Sequence, residues 1–310
     1  MVGKSRTGLE YVWHIDCCIA RRELVSLQSS QPSVEWELIM QPVFVRASMF
    51  VFIVLATSAA YASFTTFEGA GATPNNIVAT RDAFRAAVGG GTTAGANGSF
   101  GGLRREINWD GVGDAVTDPN AFPANFFNSN SPRGVVFSTP GTGFRVSANA
   151  GGATPTLFGF PNDFAAFSPQ KLFTAVNSNI TDVTFFLPGT NTPATTSAFG
   201  AIFTDIELAG STKMQFFDEN NTLIFTRDAQ VAGNQGQTFL GAVANAGERI
   251  SRVRLQSGTN TIVSNGVLGN QTDDIVVMDD FLYAEPTAVP EPASIAIIGF
   301  AVLALRGRRL

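Results

Sequence analysis

The chain has 310 residues, of which 45% are hydrophobic and only 15% are charged. This composition excludes an intrinsically disordered chain, which combines low hydrophobicity with high net charge. The net charge of -5 excludes a general nucleic-acid-binding protein, because neutralising phosphates requires clustered Lys and Arg.

Residues 40–62 have the order of features that is typical of a secretory signal peptide. Arg46 supplies the positive charge, an apolar run follows it, and Ala60 and Ala62 form a small-x-small cleavage site. The pattern predicts that the protein is exported and that its mature chain begins at Ser63. The alternative, a buried core helix or strand, does not explain this order of charge, apolar run and small residues.

Residues 1–39 fit poorly in front of such a leader, since the charged region of a signal peptide is normally short. We interpret them as the product of a start codon assigned too early, with Met40 or Met49 as the true start. The alternative is a cytoplasmic extension in which Cys17 and Cys18 bind a metal or carry a lipid.

The body, residues 63–285, is dominated by short β-branched and aromatic runs that are separated by turn residues and predict strands. Two of these runs flank residues 218–221 and predict a hairpin. The rhythm is typical of an antiparallel β-sandwich or jelly roll, and no linker composition interrupts it, so we expect one domain. The predicted strands are residues 180–187, 198–208, 213–217, 222–226, 238–243, 249–255 and 275–283.

The first half of the body is less regular. Residues 80–88 predict a helix that ends at three glycines, with Phe84 and Val88 on one face. Residues 134–138 and 143–147 predict a second hairpin. The expected fold is therefore all-β, an antiparallel sandwich or jelly roll with one short helix, flanked by the signal peptide and by a short hydrophobic C-terminal helix.

The predicted mature chain lacks the side chains that many enzymes use as nucleophile and base. His14 is the only His, and Cys17 and Cys18 are the only Cys. Their position excludes a Ser-His-Asp or Cys-His enzyme and argues against zinc, which prefers Cys and His ligands. Carboxylate chemistry remains, either the acid–base pair of a glycosidase or calcium binding.

Acidic residues cluster in two segments of the body, one around a glycine-rich turn and one on either side of an apolar strand. Carboxylate oxygens are ligands that calcium prefers, so both segments are candidates for a structural calcium site. The candidate ligands are Asp110, Asp114, Asp274, Asp279 and Asp280. Trp109 in the first segment is a candidate aromatic platform for a sugar. The alternatives are a Trp that packs inward and acids that are solvated at strand ends.

The C-terminal segment, residues 286–310, has three ordered features. Pro290, Glu291 and Pro292 come first, and a 13-residue apolar run follows at residues 293–305. The basic residues at the end are Arg306, Arg308 and Arg309. This tail resembles the PEP-CTERM sorting signal of exported Gram-negative proteins, which is also known as the ice-binding protein C-terminal motif, a name for the tail and not an activity of the body.

The resemblance implies processing by a membrane protease-transpeptidase, an exosortase, which would recognise the Pro-Glu-Pro motif. It also implies a connection with exopolysaccharide. The apolar run would span about 20 Å as a helix, against a hydrocarbon core of about 30 Å. It therefore suits a transient membrane association before cleavage better than a lasting anchor.

The body is similar, in its strand rhythm and in residues 274–281, to secreted jelly rolls of the carbohydrate-binding-module type. Together with the tail and the missing nucleophiles, this predicts a non-catalytic body that binds or organises surface polysaccharide in the cell envelope or outside the cell. The alternatives are a carboxylate-dependent secreted glycosidase or lyase, and a purely structural surface protein.

Overall fold

The computed structural model describes residues 62–152, 154–263, 266–268 and 273–289, all within one compact unit, Ser58–Leu310. Most of the predicted leader and the whole sorting motif lie outside these residues. The predicted functional residues that lie outside are Ala60, Pro290, Glu291, Pro292, Arg306, Arg308 and Arg309. Export and sorting therefore stay predictions.

Short strands account for most of the regular structure, with 38% of the described residues in strands and 14% in helices. The elements are, in chain order, β1 Phe64–Gly71, α1 Asn75–Val88, β2 Ser99–Phe100, β3 Arg104–Ile107, α2 Phe126–Ser129, β4 Val135–Ser138, β5 Gly143–Val146, β6 Phe173–Val176, β7 Ile180–Phe185, β8 Ala194–Thr195, β9 Ala198–Thr204, β10 Lys213–Phe217, β11 Leu223–Asp228, β12 Gln237–Ala244, β13 Arg252–Gln256, β14 Thr261–Val263, β15 Gly266–Leu268, β16 Val277–Ala284 and β17 Thr287–Ala288. Short 3-10 turns lie at Ala96–Gly98, Trp109–Gly111, Asp114–Val116 and Thr156–Gly159.

Two sheets form the sandwich. The first has the strand order β1-β12-β9-β16-β6-β14-β15, with β3 also paired to β16, β2 to β3 and β5 to β6. The second has the order β11-β10-β13-β7-β4, and β17 pairs with β8 in a short third sheet. Among the described strands these pairings are antiparallel, except for the single bridge between β14 and β6. The predicted all-β antiparallel sandwich is confirmed.

The main core lies between the two sheets. Side chains alternate along a strand, so every second residue of the second sheet, such as Met214, Phe216 and Val253, points into the sandwich. These side chains pack in one apolar cluster with Phe199 and Phe203 of the first sheet, and all five are fully buried. A one-residue slip would expose each of them, so this core fixes the register of the strands.

Helix α1 covers the outer face of the first sheet. Its Ile77 and Phe84 are fully buried against Ile202, Phe239 and Leu282. Strands β9 and β16 are therefore covered on both faces. This explains why β9 has the nearly continuous apolar sequence AFGAIFT rather than an alternation of apolar and polar residues.

The helix is longer than the sequence predicts. It ends where expected, at Val88, and Gly89 follows with a φ of +91°, which glycine adopts without strain. It begins earlier than expected, at Asn75, and Oδ1 of Asn76 accepts hydrogen bonds from the backbone N–H and the hydroxyl group of Thr73. In the described part of the chain, no helix has the length and apolar character needed to cross a membrane.

The prediction that residues 134–138 and 143–147 form a hairpin is wrong. β4 pairs with β7 in the second sheet, whereas β5 pairs with β6 in the first. The chain between them therefore crosses from one sheet to the other. Phe137 and Phe144 account for this arrangement, because each points into the core from its own sheet and their ring centroids lie 5.9 Å apart. The first predicted hairpin is confirmed, since β10 pairs with β11.

Candidate functional site

Trp109 lies in the centre of the core and not on a surface. Its side chain is fully buried, and its ring stacks on Phe173 with the centroids 4.1 Å apart. Its Nε1 donates a 2.7 Å hydrogen bond to the carbonyl oxygen of Asp279. A ring without an exposed face cannot hold a sugar, so the predicted platform role is corrected: Trp109 is a core residue.

Asp279 and Asp280 are buried side by side where the register of β16 against β9 shifts. The carboxylate of Asp279 accepts hydrogen bonds from the backbone N–H groups of Phe167 and Ser168, at 2.7 and 3.2 Å. The Ser168 hydroxyl lies 3.0 Å from an oxygen of each carboxyl group. The bulge thus directs two acids to one loop, which they attach to the sheet.

The buried pair resists ionisation. Burial raises the pKa of Asp279 well above its ordinary value of 3.8, and the charge of Asp280 raises it further. Burial also raises the pKa of Asp280 to about 6, against the opposing hydrogen bonds of Asp279 and Ser168. Two buried carboxyl groups in contact cannot both ionise easily, so the pair retains a proton at mildly acidic pH.

Asp274 is a second loop anchor. Its carboxylate accepts 3.2 Å hydrogen bonds from the backbone N–H groups of Glu207 and Leu208, and a third from the hydroxyl group of Ser211. Its own N–H donates to Oγ1 of Thr259 at 3.0 Å. The side chain is almost completely buried, so it does not lie at a solvated strand end.

Asp110 and Asp114 lie beside the buried Lys171. Oδ1 of Asp110 accepts a 2.8 Å hydrogen bond from the backbone N–H of Lys171. The exposed Asp114 carboxylate lies 3.6 Å from the Lys171 ammonium group, which also donates to the carbonyl oxygen of Val112. These two acids hold the lysine and its loop in place.

The carboxylates predicted as calcium ligands are therefore bound by N–H, hydroxyl and ammonium donors, and Asp279 and Asp280 share the hydroxyl group of Ser168. Calcium needs six to eight oxygen ligands directed at one point. Within the described residues, no group of three His, Cys, Asp or Glu side chains is arranged to hold a metal ion. The described structure therefore does not bring these five acids together at one site, and their oxygens instead hold loops in place.

A cleft of about 660 Å³ lies at the C-terminal end of α1. The helix contributes Asp82 and Arg85, the glycine turn at residues 89–91 lines another part, and Phe100 and Arg104 also belong to the lining. This volume falls within the range of small-molecule sites, about 300–1,000 Å³. The cleft is the candidate functional site.

Arg104 fixes the shape of the cleft. Its guanidinium group is almost fully buried and donates to the carbonyl oxygens of Arg85, Gly89 and Gly91. Its Nε also donates a 2.7 Å hydrogen bond to Glu106. Carbonyl groups at the end of a helix carry partial negative charge, so the buried cation stabilises both the helix end and the glycine turn.

Asp82 and Arg85 present opposite charges to the cleft. Slight burial alone would raise the pKa of the Asp82 carboxyl, but the hydrogen bonds and charges of Arg81 and Arg85 outweigh it and hold the pKa below 3.8. Arg85 donates to both carboxylate oxygens of Glu106, at 2.8 and 2.6 Å, and to Asp82 at 3.1 Å. The ionised carboxylate of Asp82, a hydrogen-bond acceptor, therefore lies beside the guanidinium group of Arg85, whose N–H donors are held in place.

This arrangement suits a ligand with neighbouring hydroxyl groups. A carboxylate accepts hydrogen bonds from hydroxyls, a guanidinium group donates to them, and the Phe100 ring offers an apolar surface to C–H groups. Sequence analysis missed this site, although the triple glycine after the helix and the Arg104-Arg105 pair were visible signals. Only the packing of α1 on the first sheet brings Asp82 and Arg104 together.

In comparisons with known proteins, no protein-family model, no curated protein and no solved structure matches the chain.

Proposed function

We propose that this chain is an exported protein of the Gram-negative cell envelope or extracellular matrix, whose body binds surface polysaccharide without catalysis. The leader pattern supports export, and the PEP-CTERM-like tail supports sorting by an exosortase-type membrane protease. The cleft at the end of α1 supports the binding activity. The observation that carries it is the placement of an ionised carboxylate, a guanidinium group and an aromatic ring around about 660 Å³ of space.

Apolar groups beside the cleft also favour a sugar. The Phe100 ring lies under the Arg104 guanidinium group, 4.6 Å from its carbon, so its orientation is fixed. Leu103 is 57% exposed and lies next to the glycine turn, beside Gly89. Sugar rings combine hydroxyl edges with C–H faces, and a site with both polar and apolar groups can contact both.

The test compares the exported wild-type protein with Asp82→Ala on glycan arrays and in polysaccharide pull-downs. Asp82 is about half exposed and forms only surface ion pairs, so its removal should leave the fold intact. We expect at least about tenfold weaker binding, because a hydrogen bond to a charged group contributes about 1.5–3 kcal/mol.

Asp228→Ala is the matched control. Asp228 is 59% exposed, lies 3.6 Å from the Lys213 ammonium group in the second sheet, and does not line the cleft. The Asp228→Ala variant should bind sugars as the wild type does. The proposed site is wrong if Asp82→Ala binds as tightly as this control, and the proposed activity is wrong if the wild type binds no sugar.

Product analysis on the same sugars separates the alternatives. The raised pKa values of Asp279 and Asp280 are of the kind that a glycosidase needs in its general acid, although the two side chains are buried. Turnover that is lost in Asp279→Asn would show a carboxylate-dependent glycosidase or lyase. The absence of both binding and turnover would leave a purely structural surface protein.

A further inference from the structure

The structure gives the predicted mature N-terminus a fixed position. Ser63 follows the predicted cleavage site, and its backbone N–H donates a hydrogen bond to Oε1 of Glu248. Its carbonyl oxygen accepts a 2.9 Å hydrogen bond from the N–H of Asn245, and its hydroxyl oxygen accepts another from Nδ2 of Asn245 at 3.1 Å. Three contacts thus hold Ser63 against the loop at residues 245–249.

The C-terminal end of the body meets the same loop. Ala288 is the last residue of β17, and its carbonyl oxygen accepts a 3.0 Å hydrogen bond from Nη2 of Arg249. Glu248 and Arg249 are consecutive residues. The two points from which the predicted leader and the predicted sorting tail extend therefore lie beside one another.

The contact at Ser63 is made by an uncompensated carboxylate. The two oxygens of Glu248 accept hydrogen bonds from the backbone N–H groups of Ser63 and Ala246, which are neutral donors. Slight burial would raise the pKa of Glu248, but these N–H groups outweigh it and lower the pKa below 4.5. Asp218, Glu219 and Arg249 line the same cleft of about 320 Å³, and Nε of Arg249 lies 3.6 Å from Oε1 of Glu219. Three acids, counting Glu248, thus face the cleft against one cation.

Removal of the leader changes the chemistry of this contact. Hydrolysis of the bond between Ala62 and Ser63 consumes one water molecule. The oxygen of this water joins the Ala62 carbonyl carbon, which leaves as a carboxylate, and the Ser63 nitrogen becomes an ammonium group. A neutral amide donor beside Glu248 is thereby replaced by a cation with three donor hydrogens.

We propose that Glu248 binds the α-ammonium group that leader removal creates at Ser63, and so attaches the mature N-terminus to the body. The inference rests on the export part of the proposed function. Charge-assisted hydrogen bonds are about twice as strong as neutral ones, so cleavage strengthens a contact that the uncleaved chain already makes. The contact protects the start of β1, an edge strand whose free end would otherwise fray.

The test uses the full chain, produced with its leader in a Gram-negative host. The N-terminus of the exported protein is sequenced, and the α-amino pKa is measured from the pH dependence of its acetylation by limiting acetic anhydride. We expect a mature chain that begins at Ser63, with an α-amino pKa about one unit above the ordinary range of about 7.7–8.0. Glu248→Gln should return the pKa to that range.

Glu219→Gln is the control, because it removes another acid of the same cleft and should leave the α-amino pKa raised. A chain that begins at Ser63 with an ordinary pKa overturns the inference and leaves export standing. A raised pKa that survives Glu248→Gln also overturns it. A mature chain that begins elsewhere, or that keeps its leader, overturns the predicted cleavage and the inference together.

Discussion

The carboxyl group of Asp205 couples the stability of the fold to pH. It follows β9 at a φ of +76°, and its Oδ1 accepts a 2.9 Å hydrogen bond from the N–H of Gln235. Burial raises its pKa, the charges of Glu207, Asp274 and Asp163 raise it further, and the hydrogen bond from Gln235 only partly opposes this. The resulting pKa is about 7.

Asp205→Asn is expected to stabilise the protein at pH 8 and to have little effect at pH 4. Because the pKa is raised in the folded state, the stability that Asp205 contributes is fully present below 3.8 and is lost as the pH rises through about 7. Asn stays neutral, keeps the acceptor oxygen and tolerates a positive φ. The expected gain at pH 8 is at least about 1 kcal/mol, because one pKa unit is about 1.4 kcal/mol.

Urea unfolding of both proteins at the two pH values measures this effect. Equal stabilities at pH 8 would contradict the role given to Asp205. The sequence could not reveal this residue, because Glu207 is near it in the chain but Asp163 and Asp274 approach it only in the folded protein.

At the scale of elements, helix α1 depends on one side chain from β3. The Arg104 guanidinium group reaches the carbonyl oxygens at the end of the helix and in the glycine turn. Arg104→Lys retains the charge but loses the planar guanidinium group, which donates hydrogen bonds to several oxygens at once. We expect a loss of about 2 kcal/mol, since two or more hydrogen bonds to a charged group are removed. Amide hydrogen exchange at residues 85–89 should become faster.

Arg227→Lys is the control for this change. Arg227 is about half exposed and pairs with Glu68, so the substitution should leave the free energy of unfolding almost unchanged. Unchanged exchange at the end of α1 in Arg104→Lys would show that the glycine turn ends the helix without help from the arginine.

Strands with dense β-branched and aromatic residues could be predicted from the sequence. β10 has the predicted bounds, and β7 and β9 begin at the predicted residues. β1 was missed, because its sequence FTTFEGAG is poor in β-branched apolar residues and becomes a strand through pairing with β12. The partner of β4 could not be predicted either, since a hairpin and an arch between sheets have the same local alternation.

For the candidate site, the sequence predicted the type of side chain, a carboxylate, but not which residues carry it. The absence of His and Cys from the predicted mature chain directed attention to carboxylates. Which carboxylates are buried depends on the bulge in β16 and on loops that approach from distant parts of the chain. Asp279 and Asp274 therefore proved to be loop anchors, while Asp82, which no motif marks, lies in the cleft.

At the scale of the whole molecule, the tail is predicted to decide where the body resides. Glu291→Ala, or deletion of residues 306–310, should change the mass or the location of the exported product, because each removes one feature of the sorting signal. Mass spectrometry and fractionation of envelope and medium measure both outcomes. Processing and release of both variants as in the wild type would contradict the sorting hypothesis.

Insertion of several Leu into residues 293–305 is the complementary variant. The natural run is shorter than the roughly 20 residues that a spanning helix needs, so lengthening it should favour stable retention in the membrane. Because β17 ends just before the motif, the insertion leaves the described body unchanged.

The stack of Trp109 on Phe173 gives the mature protein an internal optical signal. The other two Trp residues, Trp13 and Trp36, precede the predicted cleavage site, so the fluorescence of the predicted mature chain comes from one indole ring. That ring is buried between the two sheets and bonded to the β16 bulge. Its emission should move to longer wavelength when the sheets separate, so the assembly of the sandwich can be followed without an added dye.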